Sequence, residues 1–340
     1  MKIAFICDIP RVGFSGGRYY SVLLASCISQ YADVVDFYTC NTKSQIYEGF
    51  SDKYKVNFHN FGRPVRNDYD FCIVFPDLSG NLPTHESKIS FSNNISNKTI
   101  LMSFETANWW NESSPMKRNP SLWSPWISIS KKADHIFYLS EEMKKWGEKF
   151  YNNKNDSVCW AGPVNLRNFC NTSKKQKQVT ILTRLGNLSE HKGHNMISAL
   201  DSYSLDGYTI NVNIANTNSS QISQIKFKNN IDIKFSSMIS EAEKFSLLEK
   251  SDILFFPTQF EGLGLPPLEA ECCGCKVLCT DLPVLRQHPN NKYFLFKRDY
   301  SDFGDVLAKC VASKIDTTKG KEYLLMQNFG KKMFEDLSNL

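Results

Sequence analysis

No apolar run in the 340-residue sequence reaches the roughly 18 residues that a membrane-spanning helix needs. The opening Lys2-Ile3-Ala4-Phe5-Ile6-Cys7 is apolar, but Asp8 and Pro10 end it too soon for a secretory signal, and it reads as a first buried strand. A cytoplasmic protein is expected. Secreted-scaffold cysteine spacing is missing too: the 11 cysteines are odd in number and scattered, which suits a reducing compartment. Cys272-Cys273-Gly274-Cys275, with Cys279 beyond, contains a CxxC but lacks a second pair of Cys or His to complete a zinc site. Structural thiols and no metal are the expectation. There is no arginine-rich stripe, so nucleic acid is not an expected partner. The net charge of +5 is mild and suits anionic ligands such as nucleotide diphosphates or lipid headgroups. Neither half has a Gly-x-Gly-x-x-Gly after its first strand, since Gly13, Gly16 and Gly17 are wrongly spaced. That weighs against a dinucleotide-dependent oxidoreductase.

What is present is a chain of ordinary globular composition, 41% hydrophobic and 22% charged, long enough for two α/β domains. Apolar runs of strand length alternate with helical patterns twice over, which predicts two units with parallel sheets. In the first half the expected strands are Lys2–Cys7, Val34–Tyr38, Phe71–Phe75, Thr99–Ser103, His135–Leu139 and Ser157–Ala161, with helices from Arg18 and from Glu141. Residues 165–178 are polar and read as a linker. Strands Val179–Leu182, Tyr208–Ala215, Ile231–Phe235, Ile253–Pro257 and Lys276–Thr280 follow, and Ser240-Glu241-Ala242-Glu243 is a capping box.

The most informative stretch is Phe260-Glu261-Gly262-Leu263-Gly264-Leu265-Pro266-Pro267-Leu268-Glu269-Ala270. A buried strand ends just before it, the glycines let backbone approach a ligand, and two prolines suit a first helical turn. Such a helix start favours a diphosphate, while the two carboxylates can meet sugar hydroxyls. The plainer reading leaves Glu269 as a favourable charge near a helix N-terminus. A Glu, seven residues and a second Glu within this frame closely resemble the signature of glycosyltransferase family 4. That resemblance implies a GT-B fold, two Rossmann-like domains facing across a cleft, and a retaining, metal-independent transfer. It implies that Glu261 contacts the donor sugar, that Glu269 holds the ribose, and that Gly262, Leu263, Gly264 and Leu265 line the donor site. Thr183-Arg184-Leu185 followed by His191-Lys192-Gly193 is similar to the family's Gly-Arg-Leu and Lys-Gly pair, whose cations bind the diphosphate. A leaving diphosphate gathers negative charge, which Arg184 and Lys192 can stabilise without Mg²⁺. Gly16-Gly17 stands where the family brings an N-terminal loop to the donor phosphate.

Phe104-Glu105-Thr106-Ala107-Asn108-Trp109-Trp110 matches in register a segment where many relatives carry His at the Glu105 position. Glu105 can orient the attacking hydroxyl or bind an acceptor sugar, with Asn108, Trp109 and Trp110 on the acceptor side; the plainer reading leaves it a solvent-facing loop charge. Four tryptophans between Trp109 and Trp126 suit sugar stacking or a membrane interface if exposed, and core packing if buried. Lys131, Lys132, Lys144, Lys145 and Lys149 around Trp146 suit peripheral contact with anionic lipid, or a solvated helix face. Asp68-Tyr69-Asp70 has the Asp-x-Asp form of the other large glycosyltransferase architecture, but it precedes a core strand and is not expected to hold metal. The resemblance implies an acceptor domain at residues 1–164, a donor domain at 165–323, and a helix at 324–340 returning to the first domain. The expected partners are a nucleotide-sugar donor and a saccharide or lipid-linked saccharide acceptor, as in bacterial surface polysaccharide or glycolipid assembly; a catalytically silent nucleotide-sugar binder is the alternative.

Overall fold

A computed structural model describes residues 1–9, 11, 16–44, 54–76, 85–152, 175–184, 190–203, 205, 207–215, 232–237, 239–288, 292–314 and 326–340. The expected strand Ser157–Ala161, most of the expected linker, and Leu185 lie outside these residues. The chain divides into two units, one formed by Met1–Glu112, Lys117–Asn165 and Glu322–Leu340, the other by Ser113–Met116 and Leu166–Lys321.

In the first unit, strands β1 (Lys2–Ile6), β2 (Val34–Thr39), β3 (Val56–Asn60), β4 (Tyr69–Val74), β5 (Ser96–Ser103) and β6 (His135–Tyr138) form one parallel sheet in the order β3-β2-β1-β4-β5-β6. In the second, β7 (Gln176–Arg184), β8 (Thr209–Ala215), β9 (Asp232–Ser237), β10 (Ser251–Phe256), β11 (Lys276–Thr280) and β12 (Phe294–Phe296) are also parallel, in the order β12-β11-β10-β7-β8-β9. Both orders are the doubly wound pattern: the winding reverses between β1 and β4, and again between β7 and β10. Ligands of such sheets bind beyond the carboxyl ends of the strands at that reversal.

Central strands are covered on both faces, so they read as unbroken apolar runs. Ile3, Ala4 and Phe5 are wholly buried, as are Ile253, Leu254 and Phe255. Each of the Ile, Leu and Phe side chains among them contributes about 1.5–3 kcal/mol. The edge strands are different: β3 (Val-Asn-Phe-His-Asn) is half exposed, and β12 spans only three residues, so neither carries a run long enough to predict from sequence.

The helices among the described residues are α1 (Gly16–Ile28), α2 (His85–Ile95), α3 (Ala107–Ser113), α4 (Ser124–Ser130), α5 (Glu141–Tyr151), α6 (His194–Ala199), α7 (Glu241–Lys250), α8 (Leu265–Cys272), α9 (Pro283–Arg286), α10 (Phe303–Ala312) and α11 (Met326–Ser338). Ser140 caps α5 by accepting from the Met143 amide at 3.2 Å. The capping box forms at α7: Ser240 N donates to Glu243 Oε2 at 2.8 Å, and Glu243 N donates to Ser240 Oγ at 3.3 Å. In the first unit α11 packs closely on α1, where a side chain at Gly330 would meet the Cys27 carbonyl oxygen at 2.3 Å. Helix α1 begins at Gly16, two residues before the expected Arg18, so Gly16-Gly17 is the helix's first turn rather than the loop before it.

Candidate active site

In the second unit two connections flank the reversal between β7 and β10. One leads from Arg184, at the end of β7, to the short helical turn Glu190–Lys192. The side chain of Arg184 lies outside the described residues. The other runs from the end of β10 through Pro257–Gly264 into α8. Hydrogen bonds latch the two together: Gln259 N donates to the His191 carbonyl at 2.6 Å, and the Thr258 hydroxyl lies 3.2 Å from the same oxygen and 2.9 Å from the Phe260 carbonyl. Gly193 sits in the left-handed region at φ +70°, and a Cβ there would fall 2.1 Å from the Pro257 carbonyl oxygen. Glycine is what allows the two connections to approach this closely.

The latch delivers Lys192 to Glu261, whose Oε1 pairs with its ammonium; Thr258 Oγ1 lies 3.3 Å from the same oxygen. Both side chains are partly exposed, Lys192 by 25% and Glu261 by 14%, so a ligand can reach the pair. Beyond it, Gly264 takes the left-handed conformation at φ +82° and brings its backbone against Leu285. Pro266 and Pro267 follow in the first turn of α8, where missing N–H groups leave no helical bond unmade.

His288 fastens the glycine loop from below. Its Nε2 donates to the Leu263 carbonyl at 2.6 Å, so the imidazole is held as the Nε2–H tautomer. The Tyr293 hydroxyl lies 3.0 Å from His288 Nδ1 and 3.0 Å from Glu271 Oε2, sharing its proton between two acceptors. Burial pushes the His288 pKa down to about 4, with the Leu263 carbonyl opposing, so the ring is neutral at pH 7.

Glu269, in the second turn of α8, is only 3% exposed. Lys244 of α7 donates to its Oε1 at 2.7 Å and pairs with Glu241 at 2.8 Å. Burial drives the Glu269 pKa up; the Lys244 charge opposes this and the Glu241 charge adds to it. Lys244 shows the reverse balance. Burial would lower its pKa, but Glu269 and Glu241 together raise it, so the ammonium stays charged.

In the first unit, Glu105 follows β5 and pairs with Arg118 Nη1 at 2.8 Å. The guanidinium lies over the Trp110 ring at 3.4 Å from its centre, a cation–π contact. Asn111 fixes the Arg118 backbone on both sides, accepting from its N–H at 2.8 Å and donating to its carbonyl at 2.9 Å. The exposed-ring reading of the tryptophans does not hold: Trp109, Trp110, Trp123 and Trp126 are at most 3% exposed. Their large apolar rings are core of this unit, and Asn108 is held in place too, donating to the Trp146 carbonyl at 3.1 Å. Gly17 presses on the Phe104 ring, 3.2 Å from where its Cβ would be, so the Gly-Gly turn packs on the segment that carries Glu105.

Other sequence features have structural roles. Asp68 is paired with Lys2, and Asp70 accepts from the Lys2 N–H at 2.7 Å, so the Asp-x-Asp ties β4 to β1. Cys275 is buried and donates to the Leu248 carbonyl at 2.9 Å, while burial pushes the Cys273 and Cys279 thiols up. Among the described residues no group of three or more His, Cys, Asp or Glu could hold a metal ion, and no helix is long and apolar enough to cross a membrane. Sequence reasoning missed Lys244, Arg118, His288 and Thr258, none of which stands in a recognisable motif.

The family model for glycosyl transferases group 1 matches residues 167–321. No curated protein sequence matches the chain. Among solved structures, HepE of Anabaena in complex with UDP-glucose is 15% identical with a TM-score of 0.71, and the match covers 100% of both chains. Sucrose-phosphate synthase from Thermosynechococcus elongatus is 12% identical, TM-score 0.70, over 99% of this chain and 98% of its own. The pneumococcal O-GlcNAc transferase GtfA, in complex with UDP and GlcNAc, is 10% identical, TM-score 0.70, over 100% of this chain and 99% of its own. At these identities the likeness speaks for the fold. The two doubly wound sheets are thus those of the GT-B fold, and residues 167–321 are similar to the glycosyl transferases group 1 family.

Proposed function

We propose that the chain is a retaining glycosyltransferase that moves a sugar from a nucleoside-diphosphate sugar to an acceptor hydroxyl. The observation that carries the reading is the Lys192–Glu261 pair beside the β7/β10 reversal, with Glu269 buried one helical turn beyond the glycine loop. In this reading Arg184 and Lys192 take up the charge of the departing diphosphate, the work that Mg²⁺ does in other transferases. The amides of Gly262–Leu265 and the start of α8 receive the phosphates. Glu261 holds the transferred sugar, and Glu269 accepts hydrogen bonds from the ribose hydroxyls. By the family resemblance, Gly16 and Gly17 serve the donor phosphate. HepE and GtfA were solved with UDP-glucose and with UDP and GlcNAc, which supports a donor of that class.

Glu105 is the acceptor-side carboxylate, with Arg118, stacked on Trp110, as its support, and Asn108 and Trp109 follow on the same segment. Attack from the face the diphosphate leaves, with the diphosphate taking the hydroxyl proton, gives retention without a covalent enzyme intermediate. An acceptor in surface polysaccharide or glycolipid assembly fits the family resemblance, and the exposed Lys131, Lys132, Lys145 and Lys149 support contact with an anionic bilayer surface.

Single-turnover assays of donor hydrolysis and of transfer, with and without EDTA, test the reading. Activity is expected to persist in EDTA. Glu261→Gln should impair both reactions, whereas Glu105→Gln should lose about 10²–10⁴-fold in transfer and retain hydrolysis. Chelator-abolished activity restored by Mg²⁺ contradicts the role of the two cations, and wild-type transfer by Glu105→Gln contradicts the acceptor-side role.

A further inference from the structure

Lys244 belongs to no motif, yet it is the side chain that meets Glu269. It projects from α7, is 13% exposed, and stands 2.7 Å from Glu269 Oε1 and 2.8 Å from Glu241 Oε1. The one ammonium meets both carboxylates, in a place where Glu269 is almost sealed from water. A carboxylate buried without a cation takes up a proton. A protonated Glu269 would itself be a donor at one oxygen, and could no longer accept from both hydroxyls of a vicinal diol.

We infer that Lys244 is a positioning residue of the nucleotide subsite, which occupies Oε1 of Glu269, keeps the group an ionised acceptor, and leaves Oε2 to a ribose diol. The inference rests on the reading of Glu269 as the ribose-binding carboxylate. The elements packed against α8 are α7, β10 and β11. From α7, Lys244 and Glu241 face Glu269, while Glu243 is turned into the capping box with Ser240 and Glu249 and Lys250 close the far end of the helix. From the strands, Asp252 and Lys276 pair with each other at 2.9 Å. At the end of α8 the Cys273 thiol is raised by burial and carries no charge at neutral pH. Burial raises the Glu269 pKa most, Lys244 opposes it, and Glu241 adds to it.

The test is calorimetric affinity for whichever of UDP, GDP and ADP the wild type binds most tightly, from about pH 5 to about pH 9. The ratio of variant to wild-type Kd removes the probe's own phosphate ionisation. For Lys244→Met the ratio should be about tenfold or more at the acid end and fall toward one as pH rises and Glu269 ionises. Lys244→Arg should restore a ratio near one at every pH. Adding Glu241→Gln to Lys244→Met removes the opposing carboxylate, and should shift the midpoint of the pH-dependent ratio to lower pH; it also gives a second readout if the single variant folds poorly. A ratio that does not vary with pH, or a midpoint unmoved by Glu241→Gln, overturns the role of Lys244. Glu269→Gln separates the two layers: if it leaves affinity unchanged, the ribose reading itself fails, whatever Lys244 does.

Discussion

His288 is the residue where pH and stability meet most directly. Burial places its pKa at about 4, below the roughly 6.5 of an imidazole in the unfolded chain. The unfolded state therefore takes up the proton first as pH falls. The stability due to the neutral ring is complete above about pH 6.5 and is lost as pH drops toward 4, a change on the order of 3 kcal/mol. A His288→Gln variant, keeping a donor for the Leu263 carbonyl, should show a flatter fall in melting temperature over that window than the wild type. Parallel curves would mean the ring is not neutral when folded. Motif spacing made part of this neighbourhood readable: Lys192 and Glu261, 69 residues apart, meet in the fold. His288, Lys244 and Arg118 were not readable, for a physical reason. A lysine three residues after a glutamate on a helix reads as an exposed pair. That it also meets Glu269, 25 residues away on another helix, is set by packing that no local pattern encodes. The tryptophans show the same limit, since composition marks their clustering and only the fold decides which faces are covered.

At the scale of elements, the turn at Gly193 is the tightest point in the site. Gly193→Ala adds a Cβ 2.1 Å from the Pro257 carbonyl oxygen at a residue with φ +70°. The backbone strain alone is on the order of 1–3 kcal/mol, and relieving the clash must separate the turn that carries Lys192 from the loop that carries Glu261. Melting temperature and nucleotide affinity should therefore fall together. Gly16→Ala is the contrast, having open space and no left-handed backbone, and its melting temperature should hold or rise slightly. A Gly193→Ala protein with wild-type affinity would show that the latch does not position the pair. Central strands and capped helices were legible because burial on both faces and capping chemistry leave local signatures: Ser140 and Ser240 both cap the helices expected of them. The edge strands β3 and β12 were not, being half exposed or three residues long. The start of α1 moved because Gly16 and Gly17, weak helix formers, are drawn into its first turn, where Gly17 packs on Phe104.

For the whole molecule, the alternation of strand and helix fixes two parallel sheets, and each sheet reverses its winding once. The reversal in the second unit gathers residues distant in sequence, from Arg184 at the end of β7 to Glu269 in α8, beside one glycine loop. On the proposed function this place binds a nucleoside diphosphate, with Lys192 on the phosphates and Glu269 on the ribose. A ligand present at a hundred times its dissociation constant stabilises the folded state by about 2.7 kcal/mol, ample for detection by thermal shift. The most direct measurement is a thermal-shift and calorimetric comparison of UDP, GDP, ADP and CMP binding to wild type, Lys192→Met and Glu269→Gln. One of the three diphosphates should stabilise the wild type more than the monophosphate CMP does, and each variant should bind it more weakly by about 1–3 kcal/mol, the loss of one charged hydrogen bond. A wild type that binds none of the three diphosphates, or variants that bind the preferred one as tightly as the wild type does, would rule out a nucleoside-diphosphate site here.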